Sequence, residues 1–154
     1  MDISEVLTSI GSRSDCIIAP PHDLPLIAPD HRLPADVQAF YLRCGGLQLF
    51  TTAPFPTAIV AAQKLQLANP IIFDGVSDAE LDATRDDRSW SWYLIAVGPN
   101  SQYITIDFHP DRLGQCYNSV WIKHPGNSEI IARSFTELLA DLLATEGEYY
   151  SWDA

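Results

Sequence analysis

Residues 134–143 read SFTELLADLL, and this stretch decides how the rest of the chain must be arranged. Ser134, followed three residues later by Glu137, has the spacing of a capping box, in which two side chains satisfy free amides at a helix start. Phe135, Leu138, Leu139, Leu142 and Leu143 then fall at i, i+3, i+4, i+7 and i+8, a single apolar stripe. Burying each of those side chains contributes ~1.5–3 kcal/mol, whereas the cap contributes about 1 kcal/mol. The apolar face therefore fixes where the helix docks, which must be a sheet or another helix. Gly147 can end it, leaving Glu148, Tyr149, Tyr150, Trp152 and Asp153 as an acidic, aromatic tail.

The sheet that this helix needs is legible in the middle of the chain. Trp90–Val97 and Tyr103–Phe108 are rich in aromatic and β-branched residues, and Gly98-Pro99-Asn100-Ser101 between them is turn chemistry. They pair antiparallel, and Gly114–Ile122 adds a third run across His109-Pro110-Asp111. Upstream, Leu47–Phe50 alternates as a half-buried strand does, with Ala58-Ile59-Val60 as its hairpin partner. Two further helices precede them. Ile3, Val6, Leu7 and Ile10 form one stripe, ended by Gly11 as a left-handed stop. Val37, Phe40, Tyr41 and Cys44 form the other, with Pro34 and Asp36 at its start and Gly45-Gly46 at its end. Five prolines in residues 19–34 mark an ordered loop, residues 61–69 lean to a short helix stopped by Pro70, and Asp74–Asp87 reads as a polar loop with one helical turn. Helices at both ends with strands between predict an α+β fold, a mainly antiparallel sheet of about four to six strands with the N-terminal and C-terminal helices on one face. At 154 residues the chain is expected to form a single domain, 1–154.

Composition narrows the function. Nine basic against twenty acidic residues give a net charge of −11, a field that repels phosphate backbones and anionic lipid heads. Nucleic acid and membrane are therefore not expected as partners, whereas a basic protein would be drawn in faster by the same field. The first residues, Met1-Asp2-Ile3-Ser4-Glu5, carry acids where a secretory signal carries Lys or Arg, so a cytoplasmic protein is expected. Cys16, Cys44 and Cys116, an odd set without a Cys-x-x-Cys pair, read as reduced thiols.

Each catalytic or ligand-binding pattern in the chain has a plainer reading. The sequence holds no Gly-x-Gly-x-x-Gly, no phosphate-binding Gly-Lys-Ser/Thr loop and no His-Glu-x-x-His, and no cofactor is expected. Asp107-x-His109-x-Asp111 has ligand-like spacing along a strand, but Pro110 breaks that geometry and a strand end entering a polar turn is preferred. Cys116 with His109 or His124 would make a nucleophile pair, against which stands the mid-strand position of Cys116, where a thiol behaves as a small hydrophobe. His22, His31 and His124, beside prolines or loop residues, read as surface histidines.

Asp74–Asp87 carries Asp74, Asp78, Glu80, Asp82, Asp86 and Asp87 against Arg85, a net charge of −5. Such runs are usually solvated loops, and Trp90 and Trp92 just after it are readable as core. Aromatics beside clustered acids are also what a surface for a basic partner uses. Asp82, Asp86, Asp87, Trp90, Glu146 and Glu148 are the candidate contact residues.

Several ordered strings resemble the SUKH superfamily. They are Leu33-Pro34-x-Asp36 leading to Phe40-Tyr41 and Gly45-Gly46, then Ala68-Asn69-Pro70-Ile71-Ile72-Phe73 and Ser91-Trp92-Tyr93-Leu94-Ile95-Ala96. Tyr103-Ile104-Thr105-Ile106-Asp107, Arg112–Ser119 and Ile131–Leu139 complete the set, which covers roughly residues 30 to 150. The resemblance implies an α+β fold and a non-enzymatic protein-binding role. Bacterial members of that superfamily are mostly immunity proteins that neutralise a polymorphic toxin, often a nuclease, and fungal members regulate cell-wall synthesis. The expected function is thus an immunity protein for a basic toxin; the alternative is a regulatory scaffold without a toxin partner.

Overall fold

The apolar stripes and strand runs assemble in a computed structural model that describes residues 2–85, 87–99, 102–119, 124–126 and 128–148. Its element order is α1 (Ile3–Gly11), β1 (Ile17–Ile18), α2 (Ala35–Arg43), β2 (Leu47–Leu49), β3 (Thr57–Ile59), α3 (Ala68–Ile72), α4 (Asp78–Asp82), β4 (Trp92–Val97), β5 (Tyr103–Asp107), β6 (Cys116–Asn118), β7 (Glu129–Ala132) and α5 (Phe135–Thr145). Two 3-10 turns, Ala62–Lys64 and Arg88–Ser91, complete it. The seven strands lie side by side in chain order, each antiparallel to the last, so the sheet is a meander.

The α+β class and the helix-covered face are as the periodicities predict. Alternation sends Ile104, Ile106 and Cys116 to the face where Val6, Ile10, Phe40, Phe135, Leu138 and Leu142 pack, all of them fully buried. Phe40 meets Phe135 edge-on at 4.9 Å, and Tyr41 donates from its hydroxyl to the Val60 carbonyl at 2.7 Å. Asp36 does more than favour its own helix start. Its Oδ2 accepts from both the amide and the hydroxyl of Thr136, each at 2.9 Å, so the same carboxylate caps α5. Ser134 accepts from the Glu137 amide at 3.1 Å as the cap spacing predicts, but the Glu137 carboxylate reaches the Arg133 amide, not that of Ser134.

Four local expectations are corrected. The strand count exceeds four to six because the edge strands β1 and β7 bury too few residues to alternate: both residues of β1 are exposed, and β7 carries a bulge opposite Cys116 and Tyr117. Pro70 does not stop a helix. It is the third residue of α3, where its missing amide has no intrahelical partner to lose. Gly11 is the last residue of α1, and Ser12 in the right-handed region closes that helix. Strand β4 begins at Trp92, so Trp90 lies in the 3-10 turn before it. Gly46, at φ 127°, marks a real constraint: a Cβ there would stand 2.9 Å from the Ile59 carbonyl oxygen.

The proline-rich loop is fastened to the sheet, as expected of an ordered segment. The Ala28 amide donates to the Tyr93 hydroxyl at 3.0 Å, His31 Nδ1 lies 2.8 Å from the same oxygen, and the Arg32 amide donates to the Phe108 carbonyl at 2.9 Å. None of the described helices is long and apolar enough to cross a membrane.

Candidate binding surface

The reverse face of the sheet is built around a buried carboxylate. Register places Trp92 opposite Asp107, and Thr105 opposite both Leu94 and Tyr117, all on the side away from α5. Asp107 is fully buried and accepts four hydrogen bonds: Ser91 Oγ at 2.6 Å, Trp92 Nε1 at 3.1 Å, the His109 amide at 2.9 Å and Arg112 Nε at 2.7 Å. A buried charge is tolerable when paired and bonded in this way. Arg112 also reaches the Arg88 carbonyl and the Ser91 hydroxyl at 3.4 and 3.3 Å, which pins the 3-10 turn to the sheet. Trp92 stacks on Tyr117 with ring centroids 3.9 Å apart, and the Arg88 guanidinium lies over both rings at 5.7 and 5.9 Å.

A second buried hub holds the start and end of the acidic stretch. Asn69, 1% exposed, donates to Thr84 Oγ1 at 3.3 Å and to Ser89 Oγ at 3.1 Å, while its carbonyl faces His124 Nε2 at 2.5 Å. His124 is therefore not a surface histidine. It lies between Phe73 and Trp92, with ring centroids at 5.3 and 5.6 Å, and burial lowers its pKa to about 4 despite the opposing pull of Asp87. Its Nδ1 has no hydrogen-bond partner among the described residues.

From this root the acidic arm projects into solvent. Helix α4 buries none of its residues and is started by Ser77, whose hydroxyl accepts from the Glu80 amide at 3.2 Å. Asp82 is exposed and pairs with Arg85, Oδ1 to Nε, at 2.8 Å. The Arg85 guanidinium in turn lies 5.0 Å from the centroid of the half-buried Trp90 ring. Asp87 is exposed and caps the 3-10 turn by accepting from the Ser89 amide at 2.8 Å. Burial raises its pKa, but the bonds from Ser89 outweigh that and hold the carboxyl below its usual range. Asp86 is outside the described residues, as are Tyr149, Tyr150, Trp152 and Asp153 of the tail.

Glu146 and Glu148 belong to a different part of the surface. Glu146 is the left-handed cap of α5 at φ 52° and pairs with Arg13 at 3.4 Å. Glu148 is exposed beside Ala53, Pro54 and Phe55. Among the described residues no hydrogen bond, ion pair or ring contact joins these two acids to Asp82, Asp87 or Trp90.

The SMI1 / KNR4 family (SUKH-1) model matches residues 30–141, from the end of the proline-rich loop through strands β2 to β7 to most of α5. The chain belongs to that family. It is also 36% identical over 154 residues to the immunity protein YokJ of Bacillus subtilis (strain 168), covering 99% of this chain and 89% of that protein. No solved structure matches it.

In this SUKH-1 chain the residues weighed for catalysis are otherwise engaged. Cys116 is fully buried on the helix-covered face, its thiol 3.4 Å from the Gly114 carbonyl and 3.8 Å from that of Ser134, and burial drives its pKa well up. His124 lies against Trp92 on the opposite face, so the sheet separates the two. His109 Nδ1 accepts from the Asp111 amide at 3.0 Å, a turn contact, and the Asp107 carboxylate is taken up by its four donors. The contacts of Arg85, Asn69 and Arg88 are not visible in the sequence, because each is defined by partners brought together only by the fold.

Proposed function

We propose that this SUKH-1 chain is a non-enzymatic, cytoplasmic immunity protein that binds a cognate basic toxin domain one to one and blocks it. The observation that carries the reading is the 36% identity, across 99% of the chain, to a protein named as an immunity protein. The net charge of −11 supports a basic partner, since opposite charge raises association rates above the neutral range. Asp82, Asp86, Asp87 and Trp90 form the first contact surface in this reading, with Glu146 and Glu148 as a separate one. The rigid root at Asp107 and Asn69 supplies the preorganisation that keeps binding from spending its free energy on ordering the arm.

The test is a tagged pull-down from the protein's own cells, with partners identified by mass spectrometry and the complex challenged with salt. A single basic, toxin-like partner released as salt rises supports the immunity reading. A broad set of cellular proteins, or none, favours a regulatory scaffold instead. With the partner in hand, the triple change Asp82→Asn, Asp86→Asn, Asp87→Asn is expected to slow association about tenfold at low salt and to flatten its salt dependence. An unchanged association rate removes the arm from the interface.

A further inference from the structure

We propose that the ring of Trp90 and the carboxylate of Asp82 form a cradle for an arginine side chain of the partner, and that the protein's own Arg85 fills this cradle in the free state. The inference rests on the protein-binding reading and adds to it the chemistry of the contact. The site is defined by an aromatic face with a cation already seated on it, not by the number of nearby acids. Arg85 presents its guanidinium 5.0 Å from the Trp90 centroid and directs Nε to Asp82 Oδ1 at 2.8 Å. A guanidinium set over an indole and held by a carboxylate is an arrangement by which an arginine is recognised, and an ammonium lacks the planar surface and fixed donors of a guanidinium.

Three further observations make the seat exchangeable. Arg85 and Asp82 are 62% and 64% exposed, so their pairing is weak and water has free access to it. Trp90 is itself fixed: its amide donates to the Asp87 carbonyl at 3.1 Å, within the turn that Arg112 and Asn69 anchor. The backbone that carries the ring therefore stays in place when its cation leaves. Finally, Arg85 is a lone base within a stretch of net charge −5, so its departure from the cradle leaves an uncompensated acidic surface facing an arriving cation. An incoming arginine makes the same two contacts that Arg85 gives up. The internal residue thus lowers apparent affinity for any loose cation and reserves the cradle for a partner whose other contacts cover the displacement.

The experiment uses the full chain and a defined probe, octa-arginine, titrated by calorimetry at low salt, with octa-lysine as the comparison. Arg85→Gln is expected to bind octa-arginine about fivefold more tightly than the unaltered protein, because the cradle is then always open. Arg43→Gln removes the same charge from the exposed end of α2 and is expected to change affinity by less than about twofold, since a distant exposed charge is screened. Adding Trp90→Leu or, separately, Asp82→Asn to Arg85→Gln is expected to cancel the gain. Equal gains for Arg85→Gln and Arg43→Gln, or a gain as large for octa-lysine as for octa-arginine, would overturn the cradle. Neither result depends on the pull-down: the cradle can fail while a toxin partner is found, and can hold where none is.

Discussion

On the face of the sheet that carries Ile104, Ile106 and Cys116, three helices close over an apolar layer; on the face that carries Trp92, Thr105, Asp107 and Tyr117, closure is by hydrogen bonds and stacked rings. The first face is non-directional in its energetics and tolerates any well-filled packing. The second is directional, since each of its groups has a defined partner and an unmet one is costly. The division of labour follows: the helix-covered face holds most of the stability, and the reverse face sets where the acidic arm points.

That comparison breaks most decisively at Leu138, fully buried under the helices. Leu138→Ala is expected to cost about 3–5 kcal/mol in urea denaturation. A loss under about 1 kcal/mol would mean that the helix layer is not the main support.

The reverse face is expected to show itself through acid. His124 carries a pKa lowered to about 4 by burial, against an ordinary value of 6.5, so the unfolded chain takes up its proton first. Its contribution is complete above pH 6.5 and is lost as pH falls toward 4, by about 3 kcal/mol. A pH series of denaturation midpoints is expected to fall less steeply over that window in His124→Gln. Parallel curves would place the imidazole in water.

The smallest of the three effects is expected at Arg112, whose loss leaves Asp107 with three donors instead of four. Arg112→Met is expected to cost about 2 kcal/mol. It sharpens the comparison by a second readout, faster amide exchange across residues 87–91 with the α5 amides unchanged. Uniformly faster exchange would show that the two faces unfold as one.

What was legible in the sequence divides along the same line. Helices α1, α2 and α5 were readable because a 3.6-residue period survives wherever one side of a helix is buried, and β2 to β5 because aromatic and β-branched runs are bounded by turn residues. The edge strands were not, since exposed residues leave no alternation to read. On the reverse face the signals are relational. His124 is buried by Asn69, which stands 55 residues away in the chain, and nothing near His124 announces it. The candidate contact residues were readable as acids and an aromatic, but the link between Asp82 and Trp90 runs through Arg85, which a charge count treats only as a partial cancellation.

The hydrogen bonds from Thr136 to Asp36 span 100 residues of chain. Every strand of the meander, by contrast, pairs with its predecessor, although α2 stands between β1 and β2 and both α3 and α4 stand between β3 and β4. The contacts of α5 with α1 and α2 join the two ends of the chain, and each closes a loop that contains β2 to β7, with a closure entropy to match. The layer that contributes most to the finished protein is thus the one whose contacts reach farthest along the chain, and whenever α5 is undocked the apolar underside of the sheet stands open to other chains.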